Sequence, residues 1–158
     1  WEYACRAGTV TAMNYGDAGA DFSKVANLAD KRLAELCRRD SPKWIPHIQT
    51  VDDGAIVTDN VDRWVPNAWG LCGMHGNAAE WTRSLYFAYP YRDNDGRNNL
   101  AVTGERVARG GSFYDRPQRA RSAFRLGYPS WQRVYNVGFR VICETDAVAR
   151  PTSQTASR

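Results

Sequence analysis

The sequence predicts one domain that is rich in loops and carries few short helices and strands. Three observations predict it. The 158 residues fit a single domain, and a domain of this size buries roughly 70% of the surface its unfolded chain exposes, so a core forms without staples. Six Trp and eight Tyr are heavy aromatic usage, suited to irregular space filled by large rings. From Trp44 to Trp69 the apolar residues come as isolated pairs, Ile56-Val57 and Trp64-Val65, set between Pro46, Pro66 and Asp52-Asp53-Gly54. That is turn chemistry, not a strand or helix period.

Taken in order, Trp1 to Gly8 reads as the last turns of a helix, with Gly8 as the left-handed stop. The opening at Trp1, with no Met, reads as the interior of something longer. Asn14 to Asp21 is a Gly/Asp-rich loop. Lys31 to Arg39 spaces Leu33 and Leu36 for a short surface helix that Ser41-Pro42 ends. Gly70, Gly73 and Gly76 bend the backbone tightly before Glu80-Trp81-Thr82, a strand with Trp81 toward the core. Phe87 to Gly104 is polar loop. Val107-Ala108-Arg109 and Phe139-Arg140-Val141-Ile142 read as strands. The domain is taken as residues 1–144. Residues 145–158, rich in Ser, Thr, Ala and Arg, read as a disordered tail.

Several functions are disfavoured. The net charge of +4 is spread along the chain without a basic stripe, which argues against a nucleic-acid partner. No apolar run approaches the ~20 residues of a membrane span. Cys5, Cys37, Cys72 and Cys143 include no Cys-x-x-Cys pair, and His47 and His75 are the only histidines, so a zinc site has little support. The thiols read as buried groups or one disulfide. Ser112 follows Gly110-Gly111 but nothing marks it as activated.

Oxygen-ligand metal chemistry is better supported. Calcium takes carboxylates, amides and carbonyls from bent loops. Asn27 with Asp53-Gly54-Ala55, and the stretch Gly73 to Glu80, offer such sets; each also reads as a capped turn. Arg109 to Arg140 is dense in arginine and aromatics and reads as either a packed end or a binding face. Arg109, Arg125 and Arg140 sit in apolar or glycine context, which favours a structural role. Arg116, Arg119 and Arg133 lie in looser text.

Four motifs then appear in order: Trp1-Glu2-Tyr3-Ala4-Cys5-Arg6-Ala7-Gly8, Gly70-Leu71 with Met74-His75-Gly76-Asn77-Ala78-Ala79-Glu80-Trp81, Arg109-Gly110-Gly111-Ser112, and Asn136-Val137-Gly138-Phe139-Arg140. Together they resemble the sulfatase-modifying factor family, the formylglycine-generating enzyme domain, from Trp1 to about Cys143. The family's portion preceding the Trp-Glu-Tyr helix has no counterpart here. The resemblance implies a C-type-lectin-like α+β fold and two calcium sites. The first maps to the side chains of Asn27 and Asp53 and the carbonyls of Leu28 and Ala55. The second maps to the carbonyls of Gly76 and Ala78 and the carboxylate of Glu80, with Gly73 standing where the family has an Asn ligand. The first is the better supported. The resemblance also suggests a contact between Cys5 and Cys143, and calcium sites favour an extracytoplasmic setting.

The family's enzyme holds copper on two cysteines just after Arg-Gly-Gly-Ser. Phe113 to Ala120 contains none, so no copper is expected. The leading expectation is a non-catalytic module that binds a protein or small-molecule ligand. Its face comprises Phe113, Tyr114, Arg116, Gln118, Leu126, Tyr128, Trp131, Arg133 and Tyr135, residue types favoured at recognition hot spots. Variable proteins of diversity-generating retroelements, which diversify this same segment, form a sub-class of that expectation. The alternatives are a formylglycine-generating oxidoreductase, or an accessory domain of a larger enzyme such as a sulfoxide synthase.

Overall fold

Among the described residues the helices are short, of ten residues or fewer. The computed structural model describes residues 1–40, 46–92 and 94–143, with backbone alone at 37–40. The expected Ser41-Pro42 stop, the Cys37 side chain and the 145–158 tail lie outside that description. Helix α1 spans Glu2–Arg6 and carries an i,i+4 pair, Arg6 to Glu2 at 2.9 Å. Ala7, not Gly8, takes the first left-handed position (φ 46) and donates its N–H to the Tyr3 carbonyl. Gly8 follows at φ 93, so two positive-φ residues share the turn expected of one glycine.

Helix α2 spans Lys31–Asp40. Asp30 starts it: its Oδ1 accepts the Arg32 N–H at 2.7 Å, as an N-cap does. Leu33 is 1% exposed and packs with Ala29 and Phe113, with Leu36 and Tyr114 against them. A second cluster joins Met13, Phe22, Ala26, Leu28 and Ala120. Both clusters link the irregular first third of the chain to the segment after Gly111. Burying one such large apolar side chain contributes about 1.5–3 kcal/mol.

The sheet has four strands: β1 Ala79–Leu85, β2 Glu105–Arg109, β3 Leu126–Pro129 and β4 Val137–Phe139. Helix α3, Pro117–Ala120, lies between β2 and β3. The strand order is β3-β2-β1-β4, with β4 parallel to β1 and the other pairs antiparallel. Residues 130–136 therefore carry the chain from one sheet edge to the other. Pairing sets the faces. Trp81 stands beside Ala108 and Phe139, and Ala108 beside Leu126; Glu80 stands beside Arg109 and Gly138 on the opposite face.

Two strand expectations need correction. Trp81 is half-buried on the outer face, edge-on to Tyr128 at 5.9 Å, instead of in the core. The last strand begins at Val137 and ends at Phe139, because Arg140 turns to a carboxylate and Val141 and Ile142 emerge 80% and 88% exposed. Among the described residues no helix is long and apolar enough to cross a membrane.

Candidate functional site

The glycine-rich turn before β1 joins the loops. Gly76 holds φ +77, and a Cβ there would meet the Asn27 carbonyl oxygen at 1.9 Å, so only glycine permits this approach. Gly76 N–H donates to the Gly110 carbonyl, Asn77 N–H to the Asn27 carbonyl, and Phe113 N–H to the Asn77 carbonyl. Asn77, itself at φ 64, accepts the Asp59 N–H on Oδ1 and donates from Nδ2 to the Asp59 carbonyl. Four segments far apart in sequence are thereby tied into one knot.

The first expected cation set gathers at this knot. Asp53 accepts the N–H of Leu28 at 3.0 Å and of Ala55 at 2.9 Å. Asn27 lies beside Leu28, 1% exposed, and donates to Val57 and Asn77. Asp30 lies behind, its Oδ2 accepting the Asp53 N–H at 2.6 Å. Asp52 pairs with Lys31 and Arg32, whereas among the described residues no Lys or Arg pairs with Asp30 or Asp53. Burial pushes the Asp53 carboxyl up to about 6, against the pull of the two N–H groups, and the Asp30 and Asp52 charges add to the rise. Burial likewise raises Asp30. Buried carboxylates lacking a counter-ion are what a bound cation relieves. Among the described residues no three His, Cys, Asp or Glu side chains form a group that could hold a metal ion by themselves. An ion here would rely on amide and carbonyl oxygens as well, a hard set that suits calcium.

The second expected set is arranged differently. Arg140 clasps Glu80 through Nε at 3.0 and 3.1 Å and through NH2 at 2.8 Å. The same NH2 donates to the Cys72 carbonyl at 2.8 Å, and the Trp1 indole N–H donates to Glu80 at 2.7 Å. A guanidinium thus takes the carboxylate expected to hold calcium with the carbonyls of Gly76 and Ala78. A carboxylate already clasped by a guanidinium is a poorer ion ligand, so this set has less support in the structure than the first.

The two motifs framing Arg109 to Arg140 lock to each other. Ser112 Oγ donates to Asp115 at 2.7 Å and accepts from Asn136 Nδ2 at 2.8 Å. Arg109 donates to the carbonyls of Ser122, Ala123 and Phe124 and pairs with Glu2 at 2.6 Å. Burial works to raise the Glu2 carboxyl, yet hydrogen bonds from Arg109 and Arg6 hold it below its ordinary value. Arg109 and Arg140 are scaffold, as their sequence context implied.

Of the expected face, Trp131 and Tyr135 stand 81% and 75% exposed, and Arg116, Gln118 and Arg133 are also exposed. Tyr114 is half-buried and meets Tyr135 edge-on at 6.0 Å; Leu126 and Tyr128 are half-buried on β3, at the far sheet edge from Tyr135. Phe113 is a correction. It is 7% exposed in the α2 cluster, because its neighbour Tyr114 takes the outward side of the turn.

Sequence reasoning missed the knot around His75. His75 Nδ1 faces the Ala120 carbonyl at 2.7 Å and Nε2 receives the Asn14 N–H at 3.0 Å. A carbonyl needs a donor and an N–H needs an acceptor, so the ring is the neutral Nδ1–H tautomer. Burial drives its pKa down to about 4. Cys5 Sγ lies 3.4 Å from Nε2 and 3.6 Å from Ser122 Oγ, and burial pushes that thiol up to about 11. Both groups are neutral, which suits cohesion and not nucleophilic chemistry. Cys5 is fully buried and Cys143 exposed, and both are free thiols, so no disulfide joins them. A lone His gives no local sequence signal for such a role.

A mixed fold with one small sheet, long loops and motif-to-motif locks defines a sulfatase-modifying-factor scaffold of C-type-lectin-like form. The chain belongs to the sulfatase-modifying factor enzyme 1-like domain family, whose model matches residues 1–145. It is 34% identical over 110 residues to the formylglycine-generating enzyme of Streptomyces coelicolor, covering 65% of this chain and 33% of that protein. Among solved structures it resembles PvdO from Pseudomonas aeruginosa, with a TM-score of 0.64 and 25% identity over 87% of this chain and 47% of that one. It also resembles variable protein 1 of Treponema denticola, with a TM-score of 0.63 and 22% identity over 88% of this chain and 43% of that one. The chain spans about a third of the curated relative and under half of either solved structure.

Proposed function

We propose that this domain is a non-catalytic ligand- or protein-binding module, held by calcium at the Asn27–Asp53 loops and recognising its partner through residues 114–135. One observation carries the reading. In the segment where the family's enzyme places two copper-holding thiols, this chain carries aromatics and guanidiniums, and no Cys lies between Arg109 and Arg140. Such side chains offer copper(I) no soft ligand, so the residues do not fit that centre. Arg116, Trp131, Arg133 and Tyr135 project from a frame locked by Ser112, Asp115 and Asn136. Rigid aromatic anchors bind at low entropic cost. Calcium would be held by Asn27, Leu28, Asp53 and Ala55, and would contribute loop order.

The test has two arms. Incubated with copper and a cysteine-containing peptide, the protein is expected to form no formylglycine. On peptide and glycan arrays, the signal of the wild type is expected to disappear in the double variant Trp131→Ala/Tyr135→Ala at unchanged Tm. Conversion of cysteine to formylglycine, or array binding that survives the double variant, overturns the proposal. The likeness to a protein named as variable favours one sub-class, in which this segment is diversified. A reverse transcriptase and a template repeat beside the gene are expected there, and their absence removes the sub-class alone.

A further inference from the structure

We propose a second binding site, on the opposite side of β1–β2 from Trp81, for a small ring-bearing carboxylate. A cleft of ≈330 Å³ opens between the start of α1, the inner face of β1–β2 and the 86–91 loop. That volume lies at the small end of ligand pockets.

Its charge is unbalanced. Three guanidiniums line it: Arg97, Arg109 and Arg125. Arg97 is paired with Asp95, and Arg109 with Glu2. Arg125 pairs with no carboxylate among the described residues. Its NH1 donates to the Phe87 carbonyl at 3.0 Å, and its Cζ lies over the Tyr89 ring at 4.0 Å and the Tyr86 ring at 4.8 Å. Held against two rings and a carbonyl, the guanidinium is fixed in orientation while most of its N–H fork stays unspent. A planar carboxylate matches that fork with two parallel hydrogen bonds.

The rest of the cleft selects a ring with polar substituents. Ser84 Oγ donates to Asn98 Oδ1 at 2.6 Å, and Asn98 Nδ2 donates to Tyr91 Oη at 3.0 Å. Thr82 Oγ1 donates to the Val107 carbonyl at 3.0 Å. Ser84 and Thr82 keep acceptor lone pairs, and Tyr91 keeps its O–H donor. Trp1 and Tyr89 supply apolar wall. Carboxylate at Arg125, hydroxyl at the Thr82–Ser84–Tyr91 end and a ring between them is the complementary ligand.

Sugar and aromatic rings share this chemistry, so the test uses both. The protein is titrated with glucuronate and with 4-hydroxybenzoate, and with methyl glucoside and phenol as neutral counterparts, while the ring-proton shifts of Tyr89 and Tyr91 are followed by NMR. At least one acid is expected to shift both rings, and its neutral counterpart to bind about tenfold weaker or worse, the cost of losing a charge-assisted pair. Whichever acid binds identifies the ring class. Arg125→Gln is expected to weaken the acid to the level of the neutral counterpart. The proposal is overturned if neither acid shifts the rings, if acid and neutral bind alike, or if Arg125→Gln leaves affinity unchanged. Should that variant not fold, the wild-type comparison of acid with neutral decides alone. None of these outcomes bears on the Trp131 face.

Discussion

His75 shows how one buried side chain sets a pH dependence that no motif announces. Unfolded, its imidazole binds a proton near its ordinary value of 6.5; folded, burial delays this to about 4. Across that window the unfolded chain carries more protons, so stability falls as pH drops, by up to about 3 kcal/mol. Asp53 has the opposite sign, since its folded pKa of about 6 exceeds its ordinary value of 3.8 and the folded state gains protons first. Comparison with His75→Gln cancels the Asp53 contribution. Urea titrations of both proteins between pH 7 and 4, with chelator present, are expected to show an extra downward slope in the wild type alone. Parallel curves would remove His75 as its source. At this scale sequence context read Arg109 and Arg140 correctly, because glycine neighbours and a fixed charge leave few uses for a guanidinium. It misread Phe113, because Phe113 and Tyr114 are adjacent aromatics and sequence alone does not say which faces in.

Elements are held by backbone approach more than by length. Strand β4 has three residues, too few to specify itself by period, which is why the run from Phe139 to Ile142 reads as the strand in sequence. Arg140 closes it onto Glu80 of β1. Arg140→Met leaves a nearly buried carboxylate with the Trp1 indole alone and is expected to cost about 3 kcal/mol. The double variant Glu80→Gln/Arg140→Met removes both charges and is expected to cost less than the single one in guanidinium unfolding. An equal or larger cost for the double variant refutes the pairing. The turn before β1 is stricter. At Gly76 a methyl group would strike the Asn27 carbonyl at 1.9 Å at a φ of +77. Gly76→Ala is therefore expected to lose more than about 3 kcal/mol, beyond the cost of positive φ alone. A variant within about 1 kcal/mol of wild type would show that the Asn27 loop moves freely from β1. Glycine clustering was visible in the sequence; its partner, some fifty residues upstream, was not.

At the scale of the molecule, the order of the four motifs was enough for the family and fold class, because each motif is a contact point in one long-range knot. The strand order β3-β2-β1-β4 was not legible, since it depends on where residues 130–136 cross and no local period records that. The same knot makes one cation a global matter. Asp53 binds the loops of Leu28 and Ala55, and Asn27 and Asn77 carry that geometry to β1 and to Phe113. An ion bound there by the folded state alone stabilises the whole domain by about 2.7 kcal/mol at a hundredfold excess over Kd. For a domain of this size that raises Tm by roughly 5–10 °C. Scanning calorimetry with millimolar calcium, and again with chelator, is expected to show that difference in the wild type. Asp53→Asn is expected to abolish it, because the amide keeps the size of the side chain and removes its charge. Glu80→Gln is expected to keep it, since Arg140 already pairs with that carboxylate. A wild-type Tm indifferent to chelation removes calcium from the Asn27–Asp53 loops. A calcium shift that survives Asp53→Asn but vanishes in Glu80→Gln moves the ion to β1 and overturns the reading of Arg140.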